Sequence, residues 1–211
     1  MQAAKSVVIS CAGIGSRLGL GTTKALINIH GKSLIRWQLE LFQEVEDIRV
    51  VVGFEAHDVI EEVRQYRPDA IFVFNHSYFE TKTGASYCLG ARDGNAYALE
   101  YDGDLLVHPD DMKKLWSAEG EWIAYADQMS DDAIFVRVNE RGEVLSFSRE
   151  SGDYEWTGPC CLKREHIAYT SGNVYNQLEP HLPLPGIKIR ACDIDTYGDY
   201  ERALKFVESW G

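Results

Sequence analysis

Short apolar segments alternate with amphipathic segments along the first half of the chain, and this alternation constrains the fold more than any other feature. Residues 7–11, 48–52 and 70–74 have the pattern of buried strands, and helical spacing of apolar residues follows at 33–45, 56–65 and 85–92. A fourth strand is predicted at 104–107, with a short helix beginning at Pro109. Strands that alternate with helices form a parallel sheet covered on both faces, so the sequence predicts an α/β fold.

The pattern changes after residue 120. Three strands are predicted at 122–126, 133–138 and 144–147, the last two joined by a hairpin around Arg141-Gly142. A proline-rich loop leads to a strand at 187–192, and the capping box Thr196-x-x-Asp199 begins a final helix. We therefore expect one domain with a mixed, mostly parallel sheet, divided into a first part (about 1–118), a small β-hairpin or lid subregion (about 119–186) and a closing strand and helix (187–211).

Composition excludes several classes of protein. The chain has 211 residues, 45% hydrophobic and 26% charged, as ordinary globular domains have. No apolar run approaches the roughly 20 residues that cross a bilayer, and the N-terminus lacks a signal-peptide core, so a cytoplasmic protein is expected. A net charge of −12 argues against general binding to nucleic acid or to anionic membranes.

The cysteines indicate neither a metal site nor a disulfide framework. Five are scattered along the chain, and no C-x-x-C pair occurs. We expect them to be small buried residues in a reducing compartment. Cys11 lies beside the glycine-rich segment described next, where packing is a sufficient role for it.

The first 39 residues form a basic segment in an acidic protein. They include no acid and five basic residues, which are Lys5, Arg17, Lys24, Lys32 and Arg36. Such a segment suggests a pocket for a small anion, although chance placement on a solvated face explains the charge equally well. The charge alone does not decide between these two interpretations.

Three phosphate-binding loops are candidates for residues 12–33. The dinucleotide motif G-x-G-x-x-G matches at Gly13 and Gly15 but has Leu18 at its third glycine, and the acid expected about 20 residues later is missing, since Glu55 comes about 40 residues later. The P-loop motif would need a glycine where Leu26 stands. Gly31-Lys32-Ser33 is therefore interpreted as a turn followed by a helix N-cap.

The third candidate fits better. Ala12-Gly13-Ile14-Gly15-Ser16-Arg17 follows a buried strand, and Lys24 comes seven residues after Arg17. Glycines let backbone amides approach phosphate oxygens. An arginine can grip phosphate with two hydrogen bonds, and a lysine can act as a point charge. A tight turn with two surface cations is the alternative, but the order of strand, glycines, Arg17 and Lys24 favours a polyphosphate site.

The same residues resemble the signature of the nucleotidyltransferases with a single Rossmann-like α/β domain, which include sugar-1-phosphate nucleotidylyltransferases and cytidylyltransferases. The resemblance covers most of 6–110 and the last twenty residues. Two departures are Cys11, where the family usually has Ala, and Thr23, where it often has Pro. The matching segments are Ala12-Gly-x-Gly-x-Arg-Leu, Lys24-Ala-Leu-x-x-x-x-Gly31-Lys-x-Leu34-Ile, Val50-Val-Val-Gly53-Phe54, Asn75-His-Ser-Tyr78 with Ser86, Gly103-Asp104 and Asp193-Ile-Asp195-Thr196-x-x-Asp199.

This resemblance implies one reaction. A phosphate or phosphonate oxygen of an acceptor attacks the α-phosphate of a nucleoside triphosphate, and pyrophosphate leaves. The acceptor is already an anion, so catalysis depends on positioning and charge neutralisation. The backbone of residues 12–16 is expected to hold the triphosphate, Arg17 to face the β- and γ-phosphates, and Lys24 to neutralise the α-phosphate.

The resemblance also implies a Mg²⁺ ion, which prefers hard oxygen ligands. Asp104 is the first candidate ligand, because the end of a strand and the family pattern coincide there. The second comes from Asp193 or Asp195. We expect these two carboxylates to point to opposite faces of an extended segment, so that they do not bind the same ion directly. Both stay candidates.

Base and acceptor are less strongly indicated. Gly53, Glu55 and Ser86 are candidates for contacts with the base, although Ser86 could equally cap a helix, and the resemblance of Asn75 to Ser86 favours CTP. Tyr154, Glu155 and Trp156 are candidates for the acceptor site. Aromatic and acidic side chains suit a cationic head group such as choline. They also suit ordinary packing, and a sugar phosphate or a phosphonate is equally open.

The main hypothesis is therefore a Mg²⁺-dependent cytidylyltransferase that acts on a small phosphorylated acceptor. Guanylyl, uridylyl or thymidylyl transfer within the same superfamily is the first alternative. A nucleotide-binding module without turnover is the second, and a dinucleotide-dependent oxidoreductase is the third. A homodimer formed through 120–186 is possible, although no residue requires it.

Overall fold

A nine-stranded sheet forms the centre of the molecule in the computed structural model, which describes residues 4–15, 22–130 and 132–210. The strands of this sheet, with two longer ones that pair outside it, are β1 (Lys5–Cys11), β2 (Ile48–Val52), β3 (Ile71–Phe74), β4 (Tyr97–Asp102), β5 (Leu105–Val107), β6 (Trp122–Ala126), β7 (Phe135–Val138), β8 (Glu143–Ser148), β9 (Tyr154–Lys163), β10 (Leu184–Lys188) and β11 (Ala191–Asp193). A further pair of two-residue strands, Asn28–Ile29 and Lys32–Ser33, also lies outside it. Their order in the sheet is β3-β2-β1-β4-β9-β6-β10-β8-β7.

The two halves of the sheet differ in strand direction. Strands β3, β2, β1 and β4 are all parallel, with Ile9 of β1 opposite Val50 on one side and Tyr101 on the other. Strand β9 runs antiparallel to β4 and to β6, and the remaining pairs are antiparallel except for β10 with β6. The α/β class and the mixed sheet are confirmed, and the parallel pairs are concentrated in the first half.

Two strands that the sequence pattern missed occupy the middle of the sheet. Strand β4 carries Glu100 and Asp102, whose charges interrupt the apolar run, and β9 contains Gly158 and Pro159. The predicted fourth strand at 104–107 is β5, which pairs with β11 in a separate two-stranded sheet. The predicted strand at 187–192 is divided between β10 and β11.

Six helices lie among the described residues, of which five lie close to their predicted positions and one, Tyr175–Leu178, was not predicted. The Ser33 hydroxyl accepts the Arg36 N–H at 3.3 Å at the start of the first, and the capping box of Thr196 and Asp199 begins the last, as predicted. None of these helices is long and apolar enough to span a membrane. The helices are α1 (Leu34–Leu41), α2 (Ala56–Tyr66), α3 (Thr83–Ala91), α4 (Pro109–Ser117), α5 (Tyr175–Leu178) and α6 (Tyr197–Glu208).

Side chains from both faces of the sheet form the core. Along β1, Val7 and Ile9 are buried in one apolar cluster and Val8 in another, as the period of two in a strand requires. A third cluster packs α6 against the start of α1. Because β1, β2 and β4 are parallel, their carboxyl ends lie along one edge, where ligands of open α/β sheets bind.

Candidate active site

A cleft of about 490 Å³ lies at the carboxyl ends of β1 and β4. One wall is the turn after β1, and another is the turn between β4 and β5. The 3₁₀ turn Lys24–Leu26 contributes further residues, and Tyr78, Thr81 and Lys82 before α3 complete the lining. The glycine-rich segment and Asp104 therefore share one cavity, although about 90 residues separate them in the sequence.

The glycine turn packs directly against Lys24. Gly15 has φ +63°, and a Cβ atom there would lie 2.7 Å from Cγ of Lys24. A side chain at this position would be strained and would displace the lysine. Gly13 and Ile14 also line the cleft, and Ala12 is buried at its base. Ser16 and Arg17, to which we assigned phosphate contacts, lie outside the described residues.

Lys24 lies between two of the predicted metal ligands. Its ammonium group donates to Oδ2 of Asp104 at 2.7 Å and to Oδ1 of Asp195. The side chain of Lys24 is 12% exposed, and those of the two acids are about twice as exposed. Burial disfavours the charge of Lys24, but the two carboxylates outweigh it and hold the pKa above its usual value. Lys24 therefore keeps its positive charge, and two carboxylates hold its ammonium group in one position in the cleft.

Asp193 and Asp195 lie on the same side of their segment, so the expectation that they point to opposite faces is wrong. Residues two apart in an extended chain share a face. Cys192 and Ile194 point into the apolar cluster around α6, and the two acids point away from it. Asp193 keeps contact with solvent, yet the surrounding protein and the carboxylates of Asp104 and Asp195 raise its pKa well above the usual range.

The acids are not gathered into an open metal-binding cluster in this arrangement. Among the described residues, three ligating side chains lie within 4.8 Å of one another only at His57, Asp58 and Glu61, which are exposed on α2. Asp104 and Asp195 are instead bridged by the ammonium group of Lys24. The site already holds a positive charge between two carboxylates.

Two further acids beside the cleft were missed by the sequence analysis. Burial and the Asp104 carboxylate raise the pKa of Asp102 to about 7. Glu100 is completely buried one pleat behind it, and burial, with the charge of Asp102, raises its pKa well above the usual value. A Cβ atom at Gly158, which has φ +106°, would collide with the Asp102 carboxylate. The sequence signal for these acids is their alternation in Glu100-x-Asp102-x-Asp104. Only a prediction of strand β4 would have placed their side chains on one face.

The three candidates for base contacts have different positions. Gly53 packs on the Ala12 carbonyl oxygen and the Tyr78 ring, since a Cβ there would lie 2.8 and 2.9 Å from them. The Glu55 carboxylate accepts the Thr23 N–H at 2.8 Å, so it contacts the loop before Lys24. Ser86 is 4% exposed inside the first turns of α3 and accepts a hydrogen bond from Asn75 at 3.2 Å. The N-cap of α3 is Lys82, so Ser86 does not cap that helix.

The acceptor candidates begin β9, next to the acids. Tyr154 stacks on Tyr125 with ring centroids 4.7 Å apart. The Glu155 carboxylate accepts the Met129 N–H at 2.7 Å and both the N–H and the hydroxyl of Ser130. It is therefore occupied by a loop of the chain itself.

Trp156 belongs to a half-buried aromatic cluster. Its ring meets those of Phe147 and Tyr175 edge-on, with centroids 5.8 and 5.9 Å away. Trp156 is two residues before Gly158, which contacts Asp102. The aromatic cluster is thus connected along β9 to the acidic end of the cleft.

Comparison with known proteins identifies the family of this chain. The sequence model of the MobA-like NTP transferase domain matches residues 7–158. A choline-phosphate cytidylyltransferase of Streptococcus pneumoniae is 32% identical over 90% of this chain and 86% of its own length.

Solved structures show the same fold over nearly the whole chain. An inositol-1-phosphate CTP transferase from T. maritima superposes with a TM-score of 0.80 at 19% identity, covering 100% of both chains. A CTP:phosphocholine cytidylyltransferase from Streptococcus pneumoniae superposes with 0.78 at 17% identity, covering 97% of this chain and 99% of the other. The glycine turn, the buried lysine and the family match together identify this chain as a member of the MobA-like NTP transferase family, within the nucleotidyltransferase superfamily.

Proposed function

We propose that the protein transfers CMP from CTP to a small phosphorylated acceptor and releases pyrophosphate. An acceptor oxygen forms a bond to the α-phosphorus of CTP, and the bond from that phosphorus to the bridging oxygen of the β-phosphate breaks. No proton has to be removed from an acceptor that is already ionised. The reaction therefore needs a fixed cationic site more than a general base.

The observation that carries the proposal is the position of Lys24. Its ammonium group lies in the cleft between Asp104 and Asp195, against the glycine turn. A phosphate that enters the cleft meets a lysine whose position is set by packing rather than by solvent. Such pre-positioned charge is the main source of rate enhancement in phosphoryl and nucleotidyl transfer.

The acids of the cleft fit a magnesium ion. Asp104, Asp193 and Asp195 offer only carboxylate oxygens, which are the ligands that Mg²⁺ prefers, and the Lys24 ammonium shows that Asp104 and Asp195 can share one cation. We assign Asp104 and one or both of the other acids to this ion. When bound, it would neutralise charge on the phosphates, and Lys24 would then be free to donate its hydrogen bonds to a phosphate oxygen.

The choice of CTP rests on the relatives rather than on a contact in the cleft. One relative that is 32% identical and two matching structures carry names that specify a cytidylyltransferase or CTP. A putative glucose-1-phosphate thymidylyltransferase from Bacillus anthracis superposes equally well, with a TM-score of 0.78 at 16% identity, covering 96% of this chain and 95% of the other. The fold therefore suits several bases, and a nucleotide panel has to decide.

For the acceptor, the structure favours Trp156 over its two neighbours. Glu155 is held by the Ser130 loop, and the Lys188 ammonium already lies 4.9 Å from the Tyr154 ring centroid. Trp156 with Phe147 and Tyr175 offers aromatic faces, and no charged side chain of the described residues lies over its indole ring. We propose that these rings contact the organic part of the acceptor, and a choline group would be held there by cation–π attraction.

The test is pyrophosphate release from CTP, UTP, GTP and dTTP, each with Mg²⁺ and with phosphocholine, inositol phosphate or a sugar 1-phosphate. We expect CTP to give the highest kcat/KM with one of these acceptors. Asp104→Asn should abolish most of this turnover and leave the far-ultraviolet spectrum unchanged. Folded wild-type protein that releases no pyrophosphate with any pair would overturn the proposal in favour of a binding module.

A further inference from the structure

One three-residue turn, Gly53–Glu55, contacts both ends of the glycine-rich loop. Where the loop leaves β1, the Phe54 N–H donates to the Ala12 carbonyl at 3.1 Å. Where the loop returns, Oε2 of Glu55 accepts the Thr23 N–H at 2.8 Å and the Thr22 hydroxyl at 3.2 Å. The loop therefore begins and ends on the same turn.

Glu55 has a backbone conformation that points to a specific role. It has φ +48° and ψ +35°, the left-handed region that few residues other than glycine adopt. Such a conformation persists when surrounding contacts over-determine it. Glu55 is also the N-cap of α2, yet its side chain makes no capping hydrogen bond to that helix. The carboxylate is directed to the loop instead of to its own helix.

The contact fixes the residue before the proposed catalytic lysine. Thr23 is followed at once by Lys24, and the Thr23 carbonyl accepts the Leu26 N–H at 3.1 Å to begin the 3₁₀ turn. On its other side, Lys24 packs against Gly15. The direction in which Lys24 enters the cleft is thus set by Glu55 from one end and by the glycine turn from the other.

We propose that Glu55 is a positioning residue that closes the glycine-rich loop and places Lys24 beside Asp104, rather than a residue that reads the base. This rests on the proposed function only in the role given to Lys24. The hydrogen bonds join described residues at the two ends of the loop, so the turn Gly53–Glu55 fixes where Ala12 and Thr23 lie.

Thr23 offers a way to separate the hydrogen bond from the loop shape. Its φ is −62° and its ψ is 144°, values that proline adopts without strain. Thr23→Pro therefore removes the N–H that Glu55 accepts while it keeps φ. Glu55→Asn keeps a residue that tolerates positive φ but is too short to reach the loop, and Glu55→Gly keeps the backbone freedom without a side chain.

The experiment is a double-mutant cycle with these changes, read out in kcat with CTP, in KM for the acceptor and in melting temperature. Glu55→Asn in the wild-type background should lower kcat about tenfold or more, because a charge-assisted hydrogen bond is lost and Lys24 is displaced. The acceptor KM should not change. In the Thr23→Pro background the same change should cost less than about threefold. Glu61 is an exposed acid of α2, and Glu61→Asn is the matched control, which should change neither kcat nor the acceptor KM nor the melting temperature.

Each outcome of the double-mutant cycle supports or overturns the role proposed for Glu55. Non-additive losses in kcat and in melting temperature, the same for Glu55→Asn and Glu55→Gly, support the proposal. Equal losses from Glu55→Asn in both backgrounds overturn it, as does a loss of CTP discrimination without a loss of kcat, which would make Glu55 a base contact. If the wild-type protein releases no pyrophosphate, the proposed function fails, while non-additive melting temperatures would still establish the loop closure and their additivity would refute it.

Discussion

The proposed nucleotide end of the cleft and the proposed acceptor end are built differently. Ala12, Gly15 and Lys24 lie within 13 residues of sequence, and the turn at Gly53–Glu55 contacts Ala12 and Thr23, the residue before Lys24. At the acceptor end, Trp156 meets Phe147 and Tyr175, which come from separate elements, and the Glu155 carboxylate binds the Ser130 loop. A short contiguous motif forms the first, and distant strands form the second.

This difference explains why the two ends support inferences of different strength. Chemistry that every member of a superfamily shares needs the same few groups around a phosphate, so a local motif can encode it. Recognition of one acceptor depends on which side chains of β8, β9 and α5 contact one another. These elements are distant in sequence, so no short motif predicts the contacts. Relatives with the same fold can therefore share the nucleotide end and differ at the acceptor end.

The largest expected effect falls on the nucleotide end. Lys24→Met should lower the rate of pyrophosphate release about 10²- to 10³-fold, as the loss of one pre-positioned charge does in comparable sites. The α-phosphate would lose its cation, and Asp104 and Asp195 would lose their partner. Steady-state kinetics with saturating CTP measure the loss. Lys113→Met, at an exposed lysine of α4, is the control. If the rate of pyrophosphate release by Lys24→Met were within threefold of the rate of this control, the role assigned to the nucleotide end would be contradicted.

The second effect concerns how the closing strand is attached to the first part of the chain. The Asp111 side chain is 3% exposed and accepts the Nε–H of Arg190 at 2.7 Å and its backbone N–H at 3.0 Å, close to β11. Burial opposes ionisation, but Arg190 and Lys114 outweigh it and hold the pKa of Asp111 below its usual range. Asp111→Asn should therefore reduce the free energy of unfolding by about 1–2 kcal/mol at pH 7.

The pH dependence of that effect has a definite sign. A carboxyl group whose pKa is lowered by folding stabilises the protein above its unfolded pKa of about 4, and the contribution is lost as the pH falls through the folded value. In urea denaturation, the difference in free energy of unfolding between wild type and Asp111→Asn should be smaller below pH 4 than at pH 7. The neighbouring exposed acid gives the control Asp110→Asn. A difference in free energy of unfolding that is larger in acid would refute the ion pair assigned to Asp111 and Arg190.

A smaller, selective effect is expected at the acceptor end. Trp156→Ala should raise the acceptor KM about tenfold and leave the CTP KM unchanged, because an aromatic contact with the acceptor is worth about 1 kcal/mol or more. Trp37→Ala removes another half-buried indole, packed edge-on against Trp210 at 5.5 Å, and controls for general destabilisation. Equal changes in both KM values would show that Trp156 acts through the fold.

The smallest effect is expected at Glu155. Because its carboxylate already accepts three hydrogen bonds from Met129 and Ser130, Glu155→Gln should change the KM for phosphocholine less than threefold, even though that acceptor is cationic. Comparison with a sugar 1-phosphate isolates any charge effect. A loss confined to phosphocholine and larger than tenfold would show that Glu155 binds the cationic group, so that both ends of the cleft would bind substrate through charged side chains.

Sequence reasoning located the parts that depend on local patterns. The strand before the glycines, the N-cap at Ser33 and the capping box at Thr196 are confirmed. The nucleotidyltransferase superfamily is confirmed by the family match. The roles of Lys24, Asp104 and the acceptor residues stay predictions.

What the sequence did not reveal depends on long-range pairing. Strand β4 has acids at alternate positions, which mark solvent in most strands, but here Glu100 is completely buried and Gly158 of β9 lies against the Asp102 carboxylate. The direction of Asp193 and Asp195 was misjudged for a local reason, since residues two apart in an extended segment share a face. The Glu55 contact with Thr23 joins residues 32 positions apart through a loop, and no periodicity reports such a contact.

The central claim is that the triphosphate binds between the glycine turn and Lys24 at the carboxyl ends of β1 and β4. Hydrogen–deuterium exchange with and without CTP and Mg²⁺ tests it without any assumption about the acceptor. The account predicts slower exchange in peptides that cover 11–24, 53–55 and 102–105, with little change in 143–160. Protection confined to other regions, or no protection at a saturating concentration of any nucleoside triphosphate, would contradict it.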